Sequence, residues 1–284
     1  MKTILKVAGC WAAYVGGLMV FAVLMSVLKL HMSSPVPQGS RGMQFLLTLV
    51  SGAVLVLGLF PVARGLAGGA GSRMTAVAGF LALALGVNTV IETSFFTTLM
   101  DGGVGGAALF YGCIALAVGI SMGLLVGGQG EAAGLRHAGA VDWMGRGLMA
   151  WLSWPVIYFL FGVCVAPVVT PYYHSLSWLR LPSLGTIFGV QLVRSVIFLG
   201  SSLPLMALWK GSRRGLWLSL GLAHAATVGW FGLAGGTFLP ASMRIAHALE
   251  ITGDSFAYAG VLVMLFAGER SEFVSGELSM VGGQ

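Results

Sequence analysis

The stretch Phe238–Arg270 reads FLPASMRIAHALEITGDSFAYAGVLVMLFAGER, and it predicts how the whole chain is built. Pro240 suits the first turn of a helix, where its missing N–H is not needed. Polar side chains then recur at steps of three or four residues, at Arg244, His247, Glu250, Asp254 and Tyr258. At about 100° per residue they fall within an arc of roughly 120°. The stretch therefore predicts a helix that enters lipid with one polar face turned toward protein or water.

Composition places the rest of the chain in the membrane class as well. The 284 residues are 57% hydrophobic and only 8% charged, with a mean hydropathy of +0.92. A soluble domain carries about 25% charged residues to cover its surface, so a soluble globular fold is excluded. The basic residues are scattered and form no patch interleaved with aromatic residues, so we expect no nucleic-acid partner.

The sequence predicts neither a metal site nor a cofactor. Cys10, Cys113 and Cys164 each stand alone in an apolar run, a pattern of small buried residues rather than of a disulfide framework or metal knuckle. Neither a His-Glu-x-x-His zinc motif nor a phosphate-binding Walker loop occurs. His224, which lies among small residues, is predicted to be a packing histidine.

Hydropathy divides the chain into eight apolar segments, each with the ~20 residues needed to cross ~30 Å of hydrocarbon. They are approximately 7–28, 43–63, 74–99, 104–126, 147–169, 183–208, 215–237 and the helix that follows Pro240. The first run lacks an Ala-x-Ala cleavage site and is predicted to remain as a span. We expect an all-α polytopic membrane protein, with a first four-helix half (1–126), a cytoplasmic linker (127–146) and a second half with a short cytoplasmic tail (147–284).

An internal echo suggests that the two halves are parallel repeats, an architecture known among transporters. Pro61 and the Gly-Ser-Arg triplet at 71–73 recur as Pro204 and the triplet at 211–213. Gln44 has a counterpart in Gln191.

The distribution of basic residues predicts the orientation. Eight spans place both termini on one side, together with ten of the fifteen basic residues: Lys2, Lys6, Arg64, Arg73, Arg136, Arg146, Lys210, Arg213, Arg214 and Arg270. The other side has Lys29, Arg41 and Arg180, and the remaining two lie within spans. This positive-inside bias predicts a protein of the cell membrane with both termini cytoplasmic.

The polar residues of three predicted spans lie at a similar depth, in the outer half of the membrane. A charge at the bilayer centre costs at least ~2.5–3.5 kcal/mol, so these groups must pair or face water. We predict one cavity that opens toward the extracytoplasmic side. Its predicted ligand-binding residues are Asn88, Glu92, Gln191, Arg194, Arg244, His247, Glu250 and Asp254.

The sequence leaves three functional classes open. A transporter-like protein would hold an anionic or amphiphilic solute through Arg194 and Arg244, while Glu92, His247 and Glu250 carry protons or orient the ligand. An intramembrane enzyme acting on a lipid or lipid-linked substrate at the outer leaflet would use His247 as a base, with Glu250 and Glu92 as catalytic carboxylates. An accessory subunit of a membrane complex would contact its partners through a small-residue stripe on the fourth span: Ala115, Gly119, Gly123 and Gly127.

Two other roles remain open for the same residues. Arg194 with Glu92, and Arg244 with Glu250, could form ion pairs that clamp the two halves together. His247 could ligate a metal beside the two glutamates, but the neighbouring arginines would repel the cation.

Overall fold

The computed structural model describes residues 1–30, 40–98 and 103–268. Within these ranges, eight helices are long and apolar enough to cross a membrane. They are α1 (Lys2–Leu28), α2 (Arg41–Arg64), α3 (Ala70–Phe96), α4 (Val104–Leu125), α5 (Ala140–Ser175), α6 (Leu184–Ala207), α7 (Arg213–Gly235) and α8 (Ala241–Phe266). The predicted all-α multi-pass membrane fold is confirmed. Leu99, at the predicted end of the third span, and Arg270 lie outside the described residues.

Large apolar side chains on the outside of the bundle contact the lipid bilayer. On α1, for example, Val20, Val23 and Val27 are all exposed. Because lipid is as apolar as these side chains, their exposure costs nothing in a membrane.

Local sequence explains where several helices begin. Ser40, Ser183 and Ser212 each accept a hydrogen bond from the backbone N–H three residues further on, and so cap α2, α6 and α7. The fifth helix begins at Ala140, inside the predicted linker 127–146. Its first two turns contain the charged residues Asp142 and Arg146, which led the hydropathy pattern to place the span further on. In the structure these two side chains form an ion pair of 2.7 Å one turn apart.

Backbone hydrogen bonds between connections show that successive helices alternate in direction. The α2–α3 turn (65–69) and the α6–α7 turn (208–212), called here the paired turns, are joined by Ala67 N–H to Leu208 O at 2.7 Å and by Lys210 N–H to Gly65 O at 2.9 Å. At the other end of the bundle, Thr98 N–H donates to Trp178 O at 3.0 Å, which joins the α3–α4 and α5–α6 connections. Residue 1 lies at the same end of the bundle as the paired turns.

Helix packing follows the same scheme in both halves. α4 packs against α1 and α3, and α8 packs against α5 and α7. α2 packs against α1 and crosses to α7, whereas α6 packs against α5 and crosses to α3. The third helix of each half also contains a π-helical segment, Leu81–Val87 in α3 and Ala226–Trp230 in α7, and the two segments are in contact.

An arginine near the start of each third helix binds the end of the following fourth helix. Arg73 Nε donates to Gly123 O of α4 at 3.1 Å, and Arg213 Nη2 donates to Val263 O of α8 at 3.1 Å. The predicted Gly-Ser-Arg echo is nevertheless out of register. The triplet 71–73 lies inside the first turn of α3, whereas Gly211 and Ser212 precede α7.

The small-residue stripe of α4 is buried within this chain. A Cβ added to Gly119 would lie 2.5–2.7 Å from atoms of Ala78, and one added to Gly123 would lie 2.5–2.7 Å from atoms of Met74, both on α3. The stripe is therefore a contact between α3 and α4. It leaves no room there for the partner subunit that the accessory-subunit hypothesis placed on this face.

Replacing Gly119 with alanine should destabilise the bundle by about 1–3 kcal/mol, because the new methyl group meets the backbone of α3. The measurement is the thermal unfolding midpoint of the purified protein in detergent. Gly112 is a matched control on the same helix, since an added Cβ there has nothing within 4 Å. Equal midpoints for Gly119→Ala and Gly112→Ala would show that the two helices are not packed this closely.

Candidate ligand-binding cavity

A cavity of about 490 Å³ lies among α3–α8. Its lining includes residues from the connections that follow α3, α5 and α7, among them Thr97, Trp178 and Phe238. Because these connections lie opposite the paired turns, the cavity opens toward the end of the bundle away from residue 1. Its volume falls within the roughly 300–1,000 Å³ of small-molecule sites.

Three carboxylates line the cavity among the described residues. Glu92 comes from α3, and Glu250 and Asp254 stand one turn apart on α8. Glu250 is 7% exposed and Asp254 is 3% exposed. Since α8 begins at the cavity mouth, His247, Glu250 and Asp254 follow one another inward along one face of that helix.

Arg194 of α6 is held by acceptors of the protein itself. Its Nε donates to Asn88 Oδ1 at 2.7 Å, its Nη1 to Gln191 Oε1 at 3.2 Å and its Nη2 to Glu92 Oε2 at 3.4 Å. The guanidinium carbon also lies 5.7 Å from the ring centre of Trp154. Arg194 is only 2% exposed, so these contacts tie α6 to α3. Of the two ion pairs considered from the sequence, this one is present.

His247 pairs with Glu250 in place of the expected Arg244. The distance from His247 Nδ1 to Glu250 Oε2 is 2.8 Å, across three residues of α8. The imidazole is partly exposed and, like Glu250, lines the cavity. A histidine held by a carboxylate in this way can carry or transfer a proton.

Arg244 faces away from the cavity. It lines a separate, more open depression between α2, α7 and α8, beside Val54 and Trp230. Its Nε is buried without a hydrogen-bond partner among the described residues. On the helical arc of α8, Arg244 and Glu250 lie at opposite edges, about 120° apart, so the two side chains point toward different neighbours. The two guanidiniums expected to hold an anion therefore do not meet.

The aromatic walls of the cavity were not predicted. A tryptophan near the end of a predicted span, such as Trp154, usually lies at a membrane interface, but Trp154 is 3% exposed and donates from Nε1 to Gln191 Oε1 at 2.9 Å. Tyr158, one turn further along α5, also lines the cavity, together with Tyr111, Tyr173 and Trp178. The four-residue spacing of Trp154 and Tyr158 was the available signal, because it places both rings on one helix face.

The remaining predicted residues lie behind the cavity wall. Asn88 and Gln191 are fully buried and do not line the cavity; they contact it through Arg194. His224 is also buried, bonds Ser202 Oγ through Nε2 at 2.8 Å, and packs edge to face against Phe80. That is the arrangement expected of a packing histidine.

Comparisons of the chain with known protein families, curated proteins and solved structures find no match. The chemistry available in the cavity is a set of carboxylates at increasing depth, one imidazole, one fully engaged guanidinium and a wall of aromatic rings.

Proposed function

We propose that the protein is a transporter-like carrier that binds a small amphiphilic organic cation in this cavity. The observation that carries the proposal is the convergence of Glu92, Glu250 and Asp254 on one aromatic-walled space. Among the described residues that line it, the positive groups are Arg194 and His247. When all three carboxylates are ionised they outnumber these two positive groups, so a bound cation would supply the counter-charge that one of them lacks.

The walls favour an organic cation over a metal ion. Aromatic faces attract cations within about 6 Å of the ring centre, and they do so best for alkylated ammonium groups that are weakly hydrated. Trp154, Tyr158, Tyr173 and Trp178 offer such faces around the carboxylates. Within the described residues, no three His, Cys, Asp or Glu side chains come close enough together to hold a metal ion.

The position of the opening favours transport over catalysis on lipids. An enzyme acting on a lipid needs a cavity that opens sideways between helices, toward the acyl chains. This cavity instead reaches the connections at one end of the bundle, including Thr97, Leu179 and Gly236. The His247–Glu250 pair keeps a second candidate in view, a base oriented by a carboxylate in an intramembrane enzyme.

The proposal includes the orientation of the protein in the membrane and the equivalence of its two four-helix halves. Ten basic residues on the side of the termini against three on the other support cytoplasmic termini in the cell membrane. The cavity would then face outward, and a reporter fused after Gln284 that matures only in the cytoplasm tests this orientation. The equivalent packing of α1–α4 and α5–α8 supports two parallel repeats, whose relative rocking would provide alternating access.

The test uses two probes of one shape and opposite charge, tetraphenylphosphonium and tetraphenylborate. We expect the purified protein to bind the phosphonium cation saturably and to bind the borate anion no better than empty detergent micelles do. Quenching of the tryptophans near the cavity reports occupancy, because Trp154 and Trp178 line it.

The opposite result has a definite meaning. Saturable borate binding without phosphonium binding would instead favour the anionic solutes expected from the sequence. The intramembrane enzyme would be favoured if the protein bound neither probe but converted a lipid, and if His247→Ala abolished that conversion.

A further inference from the structure

Building on the proposed cation site, we propose that Asp254 carries a proton in the empty cavity and releases it when the cation binds. Cation and proton then compete for one carboxylate. The proposal deepens the function above by naming what the solute exchanges with.

Asp254 combines burial with an unused acceptor. It is the innermost of the cavity-lining residues His247, Glu250 and Asp254 on α8, and it is 3% exposed. Its Oδ1 is buried without a hydrogen-bond partner among the described residues. An ionised carboxylate in such a place is costly, and the usual remedy is to bind a proton or a cation.

Of the three carboxylates that line the cavity, Asp254 is the one without an ion-pair partner among the described residues. On α3, Glu92 pairs with Arg194 of α6, and on α8 itself Glu250 pairs with His247. Both Glu250 and Glu92 repel a charge on Asp254, while Arg194 attracts it. Because Arg194 already donates to Glu92, Asn88 and Gln191, its attraction for a second carboxylate is divided.

The other titratable groups in this region have partners of their own. Tyr158 of α5 faces the same cavity, and Tyr258, one turn further along α8, donates to Ser195 O of α6 at 3.5 Å. On α7, His224 bonds Ser202 and lies edge to face with Tyr258 at 6.3 Å between ring centres. None of them supplies the positive charge that an ionised Asp254 would need.

The exchange balances in atoms and charge. The O–H bond of the Asp254 carboxyl group breaks, its electron pair stays on the carboxylate oxygen, and the proton passes to water at the cavity mouth. The organic cation takes the place of the proton beside the carboxylate without forming a covalent bond. Charge inside the cavity is the same before and after, so binding adds no net charge to the low-dielectric site.

The experiment counts protons. The probe tetraphenylphosphonium is added to the purified protein in weakly buffered detergent solution that contains a pH indicator, and bound cation is measured in the same sample. We expect about one proton released per cation bound, and an affinity that rises about tenfold per pH unit wherever Asp254 is protonated in the free protein. In Asp254→Asn, both the proton release and the pH dependence should be lost.

Two further variants keep the result interpretable. Glu250→Gln should weaken binding but still release the proton, and Glu131→Gln, on the exposed connection before α5, should behave as the unaltered protein does. Cation binding without proton release overturns the exchange but leaves the cation site standing. No cation binding at all is instead a failure of the proposed function. Proton release that survives in Asp254→Asn, or that disappears in Glu250→Gln, overturns the assignment to Asp254.

Discussion

Replacing Arg194 with methionine should lower the stability of the protein by about 3 kcal/mol, because it breaks a buried network from one side. Asn88 would lose the donor that faces its amide oxygen, Gln191 would lose one of its two donors, and Glu92 would lose its ion-pair partner. For a chain of this size the thermal unfolding midpoint should fall by about 5–10 °C. The sequence alone suggested that Arg194 serves mainly the ligand, whereas its contacts make it a clamp between α3 and α6.

A second substitution separates the clamp from a general loss of packing. Adding Glu92→Gln to Arg194→Met removes the carboxylate left without a partner, so the double variant should melt above the single one. Arg64→Met, on an exposed position at the end of α2, controls for loss of one positive charge. An unchanged midpoint in Arg194→Met would mean that these hydrogen bonds do not hold the helices together.

Removing two carboxylates from the cavity should abolish most of its affinity for organic cations. Truncating one partner of a buried charge pair costs about 2–5 kcal/mol, so Glu250→Gln with Asp254→Asn should weaken tetraphenylphosphonium binding at least about 100-fold. The measurement is the dissociation constant from tryptophan quenching, with the thermal midpoint recorded alongside it. Because neither substitution changes side-chain size much, the fold should persist.

The control for this pair is charge removal outside the cavity. Glu131→Gln together with Asp142→Asn takes two carboxylates from exposed positions and should leave the dissociation constant within about twofold. If the cavity variant binds the cation as tightly as the control does, Glu250 and Asp254 of α8 do not form the site. A cavity variant that binds tetraphenylborate more tightly would show that the carboxylates merely exclude anions.

Features that depend on nearby residues were predictable, and those that depend on neighbouring helices were not. Hydropathy located all eight spans because each is a local run of apolar residues. The polar face of α8 was also legible, and His247, Glu250 and Asp254 do line one cavity. Arg244 shows the limit, because a helical arc gives the spacing of side chains but not which neighbouring helix each one meets.

Trp154 shows the same limit for a residue that is buried although its position in the sequence suggests the membrane interface. Near one end of a predicted span, a tryptophan usually marks the membrane interface. The helix extends well beyond that span, since α5 begins at Ala140, and the ring instead packs against Phe198 and Tyr258 in the interior. Only the contacts of α5 with α6 and α8 reveal this, and no sequence period encodes those contacts.

The paired turns have a consequence for how the proposed carrier would work. The hydrogen bonds from Ala67 to Leu208 and from Lys210 to Gly65 close the bundle at the end away from the cavity mouth, and each contributes about 0.5–1.5 kcal/mol. The Trp209 ring also lies directly against Gly65. In the proposed carrier, delivery of a solute to the side of residue 1 would require these hydrogen bonds to break, so a state open on that side would lie higher in free energy. We therefore expect the empty protein to rest with its cavity open at the other end, and a mutation that weakens the contact between the paired turns to let solute leak.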